Sequence, residues 1–338
     1  MALLPIYIKY EFLNDLVNTK VNLIDIDALS ENKSKIEIIQ LILNGAIISI
    51  DKTIEEFEAL INESSNPILT YLLTNGNGRR RLNFMKEDFD KISSENFSTI
   101  SKEPFTQFFL TNHYSGIADK IENENGSLVY TFNRANSIKR INQLNIDVFQ
   151  NGDNVDWNFI NKYSIPHHSI IIADPYLLSE NPNHISDLIS KFIGKDLKCK
   201  YHVTLFFRAK DHSVNKRYSD KCKEKVEERI ELLKKKLDRI SSPNIILEWV
   251  VYEGNDFHDR YIITNNFIIY TGNSFEWVGK QQEGKNTNWI VVNHSKMNDN
   301  TGFCYYNKAA KYLNGLKKWV LKKENYSSIS INNPMLIN

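Results

Sequence analysis

The sequence predicts an α/β protein in two parts: an N-terminal α/β domain, then a domain with a mixed sheet covered by helices on both faces. Three observations carry this prediction. Apolar runs of strand length alternate with amphipathic helical segments along the chain. The run Ile170-Ile171-Ile172 is apolar throughout, which is typical of a central strand covered on both faces. Two β-branched and aromatic runs meet at Asn265-Asn266, which predicts a β-hairpin.

The N-terminal half is predicted to alternate β-strands with α-helices. We expect strands at 6–10, 45–50, 105–111 and 127–132, and helices at 11–18, 34–43 and through 117–121. Thr53 followed by Glu56 matches a capping box, so a helix should begin there, and another should follow Asn66-Pro67. We therefore assign residues 1–126 to an α/β domain of unknown role. Residues 127–156 are assigned to a connecting segment, which is a helix and a loop from 133 onward.

The C-terminal domain is predicted to span 157–338. Its expected order is a helix at 157–163, the strand through 170–172, a helix at 184–193, a strand at 201–207, a helix at 216–240, a strand at 245–252, the hairpin, a strand at 288–293 and a closing helix at 307–321. Ligands of such sheets gather at the carboxyl ends of the parallel strands. Asp174 follows the end of one central strand and so becomes a candidate site residue.

Composition limits the classes of partner and compartment. The chain has 42 lysines and arginines against 41 acidic residues, a net charge of +1, so affinity for a polyanion must be local. Residues 195–240 hold 15 basic and 8 acidic residues, a local +7 that either attracts a polyanion or forms the solvated face of a helix. The three cysteines are odd in number and far apart, which predicts neither disulfides nor a zinc site and favours a reducing cytoplasm. No signal peptide and no membrane-spanning run is present, so we expect no membrane partner.

The predicted hairpin carries polar residues at a characteristic spacing, His258-x-Arg260-x4-Asn265-x6, followed by Gly272-Asn273-Ser274. A hairpin can bring a histidine nucleophile, a cation and small donor groups around one phosphoryl group. This spacing resembles the HKD signature of the phospholipase D superfamily, His-x-Lys-x4-Asp-x6-Gly-Ser. In that resemblance His258 is the nucleophile, Arg260 replaces the lysine, and Asn265 replaces the aspartate without its negative charge. Arginine can still hold a phosphate, and can do so bidentately.

A second motif makes the resemblance more specific. Asp174-Pro175-Tyr176 follows an apolar strand, and His258-Asp259-Arg260 with Asn265-Asn266 comes later in the chain. Over about residues 157–300 this order is similar to the phospholipase-D-like domain at the C-terminus of MIT-domain proteins. That resemblance implies a phosphoinositide-binding module and not a phosphodiesterase.

The resemblance implies a role for each matched residue. His258 would attack phosphorus, Asp174 would orient His258 or Arg260, and Arg260, Asn273 and Ser274 would contact the phosphoryl oxygens. No metal and no cofactor would be needed. The general acid would come from a second histidine or from a second copy of His258 in a homodimer. The candidates for that second histidine are His167, His168, His202, His212 and His294.

Further basic residues are candidates for binding phosphate. Arg79, Arg80 and Arg81 follow a loop of glycine and asparagine, and Arg208 and Lys210 lie in the basic stretch. The alternative for each group is a solvated charge at the surface.

A more distant resemblance concerns the N-terminal half. The segment from Phe108 to His113 is similar to the late strand of PIN-like nucleases, with His113 where an aspartate would stand. PIN-type chemistry needs several carboxylates to hold divalent metal. We interpret the available carboxylates as surface charges and helix-start residues: Asp25, Asp27, Glu55, Glu58, Asp88 and Asp90.

Two functional hypotheses follow. The first is a cytoplasmic phospholipase-D-like protein that acts on or recognises nucleic-acid phosphodiesters, as a bacterial antiphage-defence nuclease or sensor. The second is a non-catalytic module that binds the phosphate of nucleic acid, nucleotide or lipid, with the N-terminal domain as effector. The partners to be considered are nucleic acid, a second copy of the chain and a protein encoded in the same operon.

Overall fold

The computed structural model divides into two compact units. The N-terminal unit comprises Met1–Asn142 and Asn293–Ala310, and the C-terminal unit comprises Gln143–Val292 and Lys311–Asn338. Both units carry sheets and helices, so the α/β class is confirmed. The structure describes residues 4–18, 38–64, 66–76, 81–86, 108–110, 128–130, 143–148, 167–178, 183–193, 200–208, 220–239, 245–252, 260–272, 275, 287–294, 306–321, 326–327 and 330–337.

The N-terminal unit is built on a five-stranded sheet with every pair parallel. Its strands are β1 (Leu4–Ile8), β2 (Ala46–Ile50), β3 (Leu82–Phe84), β4 (Phe108–Leu110) and β5 (Leu128–Tyr130), in the spatial order β3-β2-β1-β4-β5. Its helices are α1 (Tyr10–Asn18), α2 (Ile54–Ser64) and α3 (Pro67–Thr74), with a π-helical turn at Leu41–Gly45. Parallel strands with helical crossovers bury both faces of a sheet, which explains the apolar run of β2.

The predicted start of α2 is confirmed atom by atom. The Thr53 backbone N–H donates to Glu56 Oε2 at 3.0 Å, and the Glu56 N–H donates to Thr53 Oγ1 at 3.2 Å. This reciprocal pair satisfies two donors that a helix start leaves without intrahelical partners. Lys86 pairs with the other oxygen of Glu56, and these contacts together lower the pKa of that carboxyl. Glu55 and Glu58 are exposed on α2, as expected of surface charges.

The C-terminal unit is built on an eight-stranded mixed sheet of spatial order β13-β9-β8-β7-β10-β11-β12-β6. The strands are β6 (Gln143–Val148), β7 (Ser169–Ala173), β8 (Tyr201–Arg208), β9 (Ile245–Tyr252), β10 (Arg260–Thr264), β11 (Phe267–Thr271), β12 (Thr287–Asn293) and β13 (Tyr326–Ser327). The helices are α4 (Asn183–Phe192), α5 (Asp220–Leu237) and α7 (Pro334–Ile337), together with the part of α6 (Tyr306–Val320) from Lys311 onward. β7, β8 and β9 run parallel, whereas β10 is antiparallel to β7.

Helices cover both faces of the central strands, as the sequence predicts. On one face Ile170 and Ile172 share an apolar core with Leu188 of α4 and Ile230 of α5. Each such buried side chain contributes roughly 1.5–3 kcal/mol relative to an exposed one. On the other face α6 packs with aromatic rings, among them Tyr312, whose ring centre lies 4.7 Å from that of Tyr261.

The hairpin is confirmed in its predicted register. β10 and β11 pair antiparallel from Arg260 with Thr271 to Ile263 with Ile268, and Asn265-Asn266 forms the turn. The strand expected at 127–132 is present at Leu128–Tyr130 in the first sheet, whereas Gln143–Val148, where a helix and a loop were expected, is a strand of the second sheet. The sequence Gln-Leu-Asn-Ile-Asp-Val alternates polar and apolar residues, which is the pattern of an edge strand with one covered face.

The C-terminal tail docks onto the second sheet through a buried polar network. The side chain of Asn333 is buried, and its Oδ1 accepts from Ser169 Oγ at 2.7 Å. Its Nδ2 donates to Thr204 Oγ1 at 2.8 Å, and its backbone N–H donates to Glu248 Oε2 at 3.1 Å. Burial raises the pKa of Glu248, whose hydrogen bonds oppose that shift. These contacts fix the start of α7 against the sheet.

Candidate functional site

The carboxyl edge of the C-terminal sheet collects side chains from successive strands. Asp174 follows the last residue of β7, Arg208 ends β8 and Tyr252 ends β9. Because β10 runs antiparallel to β7, its first residue, Arg260, lies at this same edge. The carboxyl edge of parallel strands is where open α/β sheets bind ligands.

Asp174 is the buried anchor of this edge. Its side chain is fully buried, and its Oδ2 accepts from the Phe275 backbone N–H at 2.6 Å. Its Oδ1 accepts from the Tyr176 N–H at 2.9 Å, which closes a turn directly after β7. A carboxylate with two backbone donors and a nearby cation is stabilised in its charged form. Asp174 therefore ties together the end of β7, the segment that follows β11 and the start of β10.

Arg260 is held on three sides. Its Nε lies 3.7 Å from Asp174 Oδ1, and its Nη1 donates to the Gly272 carbonyl at 2.6 Å. Its guanidinium carbon lies 5.3 Å from the centre of the Tyr176 ring, within cation–π range. Side-chain exposure remains 20%, so the guanidinium is oriented by the protein and still meets solvent. Contacts within the protein therefore fix the orientation of this guanidinium.

Tyr252 completes the edge on its far side. Burial is the largest cause of its raised pKa, and the charges of Asp174 and Tyr176 add to it. Arg208 and Arg260 act in the opposite direction. The ring of Tyr252 packs 5.0 Å from that of Trp319 on α6, and Tyr252 is the register partner of Arg208. Burial therefore favours the protonated phenol.

Asn265 lies far from Asp174 and Arg260. It lies in the turn at the other end of β10, about 16 Å along the strand from Arg260 at the usual rise per residue. Its buried Oδ1 accepts from the backbone N–H groups of His168 and Ser169, each at 3.1 Å. Asn265 thus caps the amino end of β7, a structural role that a neutral side chain can fill.

Three of the candidate histidines, His167, His168 and His202, also lie at the opposite edge. His167 and His168 precede β7, and His202 is the second residue of β8. Burial, with His202 and then His167 adding to it, lowers the pKa of His168 to about 4, and burial with Lys200 lowers the pKa of His202 to about 4. His294 is buried in the N-terminal unit against Tyr306. The structure therefore places His167, His168 and His202 at the opposite edge of the sheet from Arg260.

The guanidinium of Arg81 binds backbone carbonyls of the N-terminal unit. Its Nη1 donates to the carbonyls of Ile42 and Ala46 at 3.2 and 3.3 Å, and its Nη2 donates to that of Leu43. The guanidinium thereby satisfies carbonyls at the end of the π-helical turn. Burial lowers its pKa.

Several predicted residues lie outside the described ranges: His258, Asn273, Ser274, Lys210, Arg79, Arg80, His113 and His212. Their assigned roles stay predictions. Sequence reasoning did not select Tyr176, Tyr252 or the carbonyl of Gly272 as parts of this edge. The available signal was position, since each lies at or just beyond the end of a predicted strand.

The described residues show neither a cluster of metal ligands nor a membrane-spanning helix. They contain no group of three or more histidine, cysteine, aspartate or glutamate side chains placed to hold a metal ion. Among these same ranges, no helix is both long enough and apolar enough to cross a membrane.

The similarity of this chain to known proteins is found among solved structures. No family model and no curated protein matches the chain. Among solved structures it is similar to polyphosphate kinase from Porphyromonas gingivalis, at 12% identity and a TM-score of 0.28. The match covers 53% of this chain and 26% of the kinase chain. The chain thus spans about a quarter of that protein.

Proposed function

We propose that the carboxyl edge of the C-terminal sheet binds and cleaves a nucleic-acid phosphodiester by phospholipase-D-like chemistry. The observation that carries the proposal is the setting of Arg260. A buried carboxylate, a carbonyl and a tyrosine ring orient its guanidinium at the sheet edge, and Arg208 ends a nearby strand. Arg260 gives a phosphodiester an oriented cationic contact, and Arg208 adds positive charge at the same edge.

The proposed reaction takes place in two displacements. The neutral imidazole of His258, two residues before Arg260, attacks phosphorus, so that a P–N bond forms and the P–O bond to the leaving oxygen breaks. A general acid protonates the leaving oxygen, and water then cleaves the phosphohistidine. Arg260 stabilises the charge that develops on the equatorial oxygens. Because His167, His168 and His202 lie at the opposite edge of the sheet, we assign the acid to His258 of a second copy across a two-fold axis.

The choice of nucleic acid rests on charge. The net charge of the chain is close to zero, yet residues 195–240, which include Arg208, carry a local +7. A locally basic stretch on a neutral chain favours a polyanion over a small neutral substrate. A role in antiphage defence stays a proposal for the biological setting.

One observation favours a second candidate, a phosphate-binding module without catalysis. Arg260 already donates to the Gly272 carbonyl and pairs with Asp174, so part of its hydrogen-bonding capacity is used within the protein. A static binding site tolerates such a held arginine, and the N-terminal unit would then act as the effector.

The test is cleavage of single- and double-stranded DNA and RNA in EDTA by the full chain and two variants. The proposal expects cleavage in EDTA that is abolished by His258→Ala and lowered at least 100-fold by Arg260→Ala. Cleavage that survives His258→Ala would refute it. No cleavage, with salt-sensitive binding that Arg260→Ala abolishes, selects the binding module instead. Cleavage that EDTA abolishes would direct attention to the carboxylates of the N-terminal unit.

A further inference from the structure

The outer face of α6 carries three polar side chains in one row. Lys311, Asn314 and Lys318 are spaced by three and four residues, which places them one above the other on an α-helix. All three are exposed, whereas Leu313 and Leu316 on the inner face are buried. We call Lys311, Asn314 and Lys318 the basic row, and all three belong to the C-terminal unit.

No acidic residue of α6 balances the basic row. The helix contains four lysines and neither aspartate nor glutamate. By contrast, α5 mixes seven basic residues with five acidic ones, and on α4 the exposed Lys191 follows the exposed Asp187 by one turn. Within the described ranges, no carboxylate forms an ion pair with Lys311 or Lys318. The charge of this row is therefore left for a ligand, whereas that of α4 and α5 is partly neutralised within each helix.

A third cation lies near the end of the basic row. Trp319 directly follows Lys318, and its ring lies 5.0 Å from that of Tyr252. Tyr252 is the register partner of Arg208 on the neighbouring strand, so both side chains stand on the face of the sheet that α6 covers. Positive charge therefore extends from α6 to the carboxyl edge of the sheet.

Arg260 points to the opposite face of the sheet. The next residue, Tyr261, packs against Tyr312 of α6, so alternation along β10 turns Arg260 away from that helix. A phosphodiester held at Arg260 and a phosphate held at the basic row are therefore different parts of a ligand. A ligand that contacts both must extend around the carboxyl edge, which a polyanionic strand does and a single nucleotide does not.

We infer that the basic row binds the phosphate backbone of a nucleic-acid strand beyond the phosphodiester held at Arg260, an inference that rests on the proposed function. Lys311 and Lys318 lie about 10.5 Å apart along the helix axis, which is about three nucleotide steps of one strand. The lysine ammonium groups and the amide of Asn314 donate to phosphate oxygens and read no base. The row therefore adds affinity that depends on strand length and salt, and not on base sequence.

The burial of the inner face of α6 favours a strand over a lipid surface. A helix that binds a membrane inserts its apolar face at the level of the headgroups. In α6 that face, which includes Leu313 and Leu316, is buried in the protein. Only the polar face is left to meet a ligand.

The test measures how tightly the full chain binds a long and a short ligand. All variants also carry His258→Ala, so that the ligands are not cleaved. The ligands are an oligothymidine of about 30 nucleotides, which exceeds the span of the row, and a dinucleotide with a single phosphodiester. Fluorescence anisotropy, with the dinucleotide as competitor, gives each Kd over a salt series. Lys311→Gln and Lys318→Gln are compared with Lys191→Gln, which removes an exposed lysine from the last turn of α4 on the opposite face.

Each row variant should lose one phosphate contact. We expect Lys311→Gln and Lys318→Gln each to weaken oligothymidine binding about 5-fold at about 0.1 M salt, and the double variant about 25-fold. The slope of log K against log salt should become shallower by about 0.7 for each lysine removed. Lys318→Arg keeps the charge and should restore both values. Dinucleotide binding should change less than about twofold, because its one phosphodiester lies at Arg260. Lys191→Gln should bind both ligands like the parent.

The outcomes separate this inference from the proposed function. Equal effects of Lys318→Gln and Lys191→Gln overturn the inference while Arg260→Ala still weakens both ligands. If Arg260→Ala weakens neither ligand, the proposed function fails, and the salt slopes of Lys311→Gln and Lys318→Gln then decide the basic row by themselves. Loss of binding to phosphatidylserine vesicles in the double variant, with oligothymidine binding intact, assigns the row to a membrane and overturns the inference. Glutamine keeps the helix propensity of lysine, and circular dichroism confirms that each variant is folded.

Discussion

Asn333→Ala is expected to destabilise the C-terminal unit strongly. The side chain is fully buried and takes part in three hydrogen bonds, with Ser169 Oγ at 2.7 Å, the Met335 N–H at 2.9 Å and Thr204 Oγ1 at 2.8 Å. Alanine would leave the first two donors buried without an acceptor. Each such loss costs about 1–3 kcal/mol, so we expect a total of about 3–5 kcal/mol. This is a large part of the 5–15 kcal/mol that stabilises a typical domain.

The neighbouring residue provides a matched control. The Asn332 side chain is exposed and donates to Ser330 Oγ at 3.0 Å, while its backbone N–H donates to Glu248. Asn332→Ala keeps that backbone bond, so its effect should stay within about 0.5 kcal/mol.

Urea unfolding followed by circular dichroism measures the difference. With a slope of about 2 kcal/mol per molar, the midpoint of Asn333→Ala should fall by about 1.5–2.5 M relative to Asn332→Ala. A difference between the two variants below about 1 kcal/mol would show that the network does not hold the tail as described.

Three further predictions concern charge. Asp174→Asn should lower the free energy of unfolding, measured in urea, by about 2–4 kcal/mol, because a neutral amide offers one acceptor oxygen to two backbone donors. The control is Asp187→Asn at an exposed position, which should change the free energy of unfolding by less than about 0.5 kcal/mol. Stability should fall as the pH drops from 6.5 to about 4, because His168 and His202 are protonated in the unfolded chain but stay neutral in the folded protein over this range. Each histidine should contribute at most about 3 kcal/mol to this loss. His202→Gln should lessen this pH dependence, and an unchanged slope would contradict the assignment. Arg81→Ala should lower stability by about 2 kcal/mol and leave nucleic-acid affinity unchanged in a salt titration.

Local sequence patterns were sufficient to predict the elements whose stabilising interactions are also local. The capping box at Thr53 needs only residues three apart, and the Asn265-Asn266 turn needs only the two apolar runs beside it. The central position of β7 follows from its unbroken apolar run, because only a strand covered on both faces tolerates one. The short edge strand β6 was missed because six alternating residues compete poorly with the loop signal of their neighbours.

Residues defined by long-range contacts could not be assigned this way. Asn265 matches a motif position, yet it caps a strand whose first residue lies 96 positions earlier. Arg81 stands in a run of three arginines, and only the fold shows its guanidinium on carbonyls about 40 positions away. The tail from Asn333 carries no motif, because its partners on β7, β8 and β9 come from distant parts of the chain.

The sequence by itself determined the α/β class, the hairpin, the central strand and the two motifs that contain Asp174 and Arg260. Each of these depends on the periodicity and turn chemistry of a short segment, which the chain encodes locally. Only the tertiary structure decided that Asp174 holds Arg260, that Asn265 is remote from it, and that α6 lines the same edge with aromatic rings. Those relations depend on strand order and direction, because packing a sheet brings together residues that the chain keeps tens of positions apart.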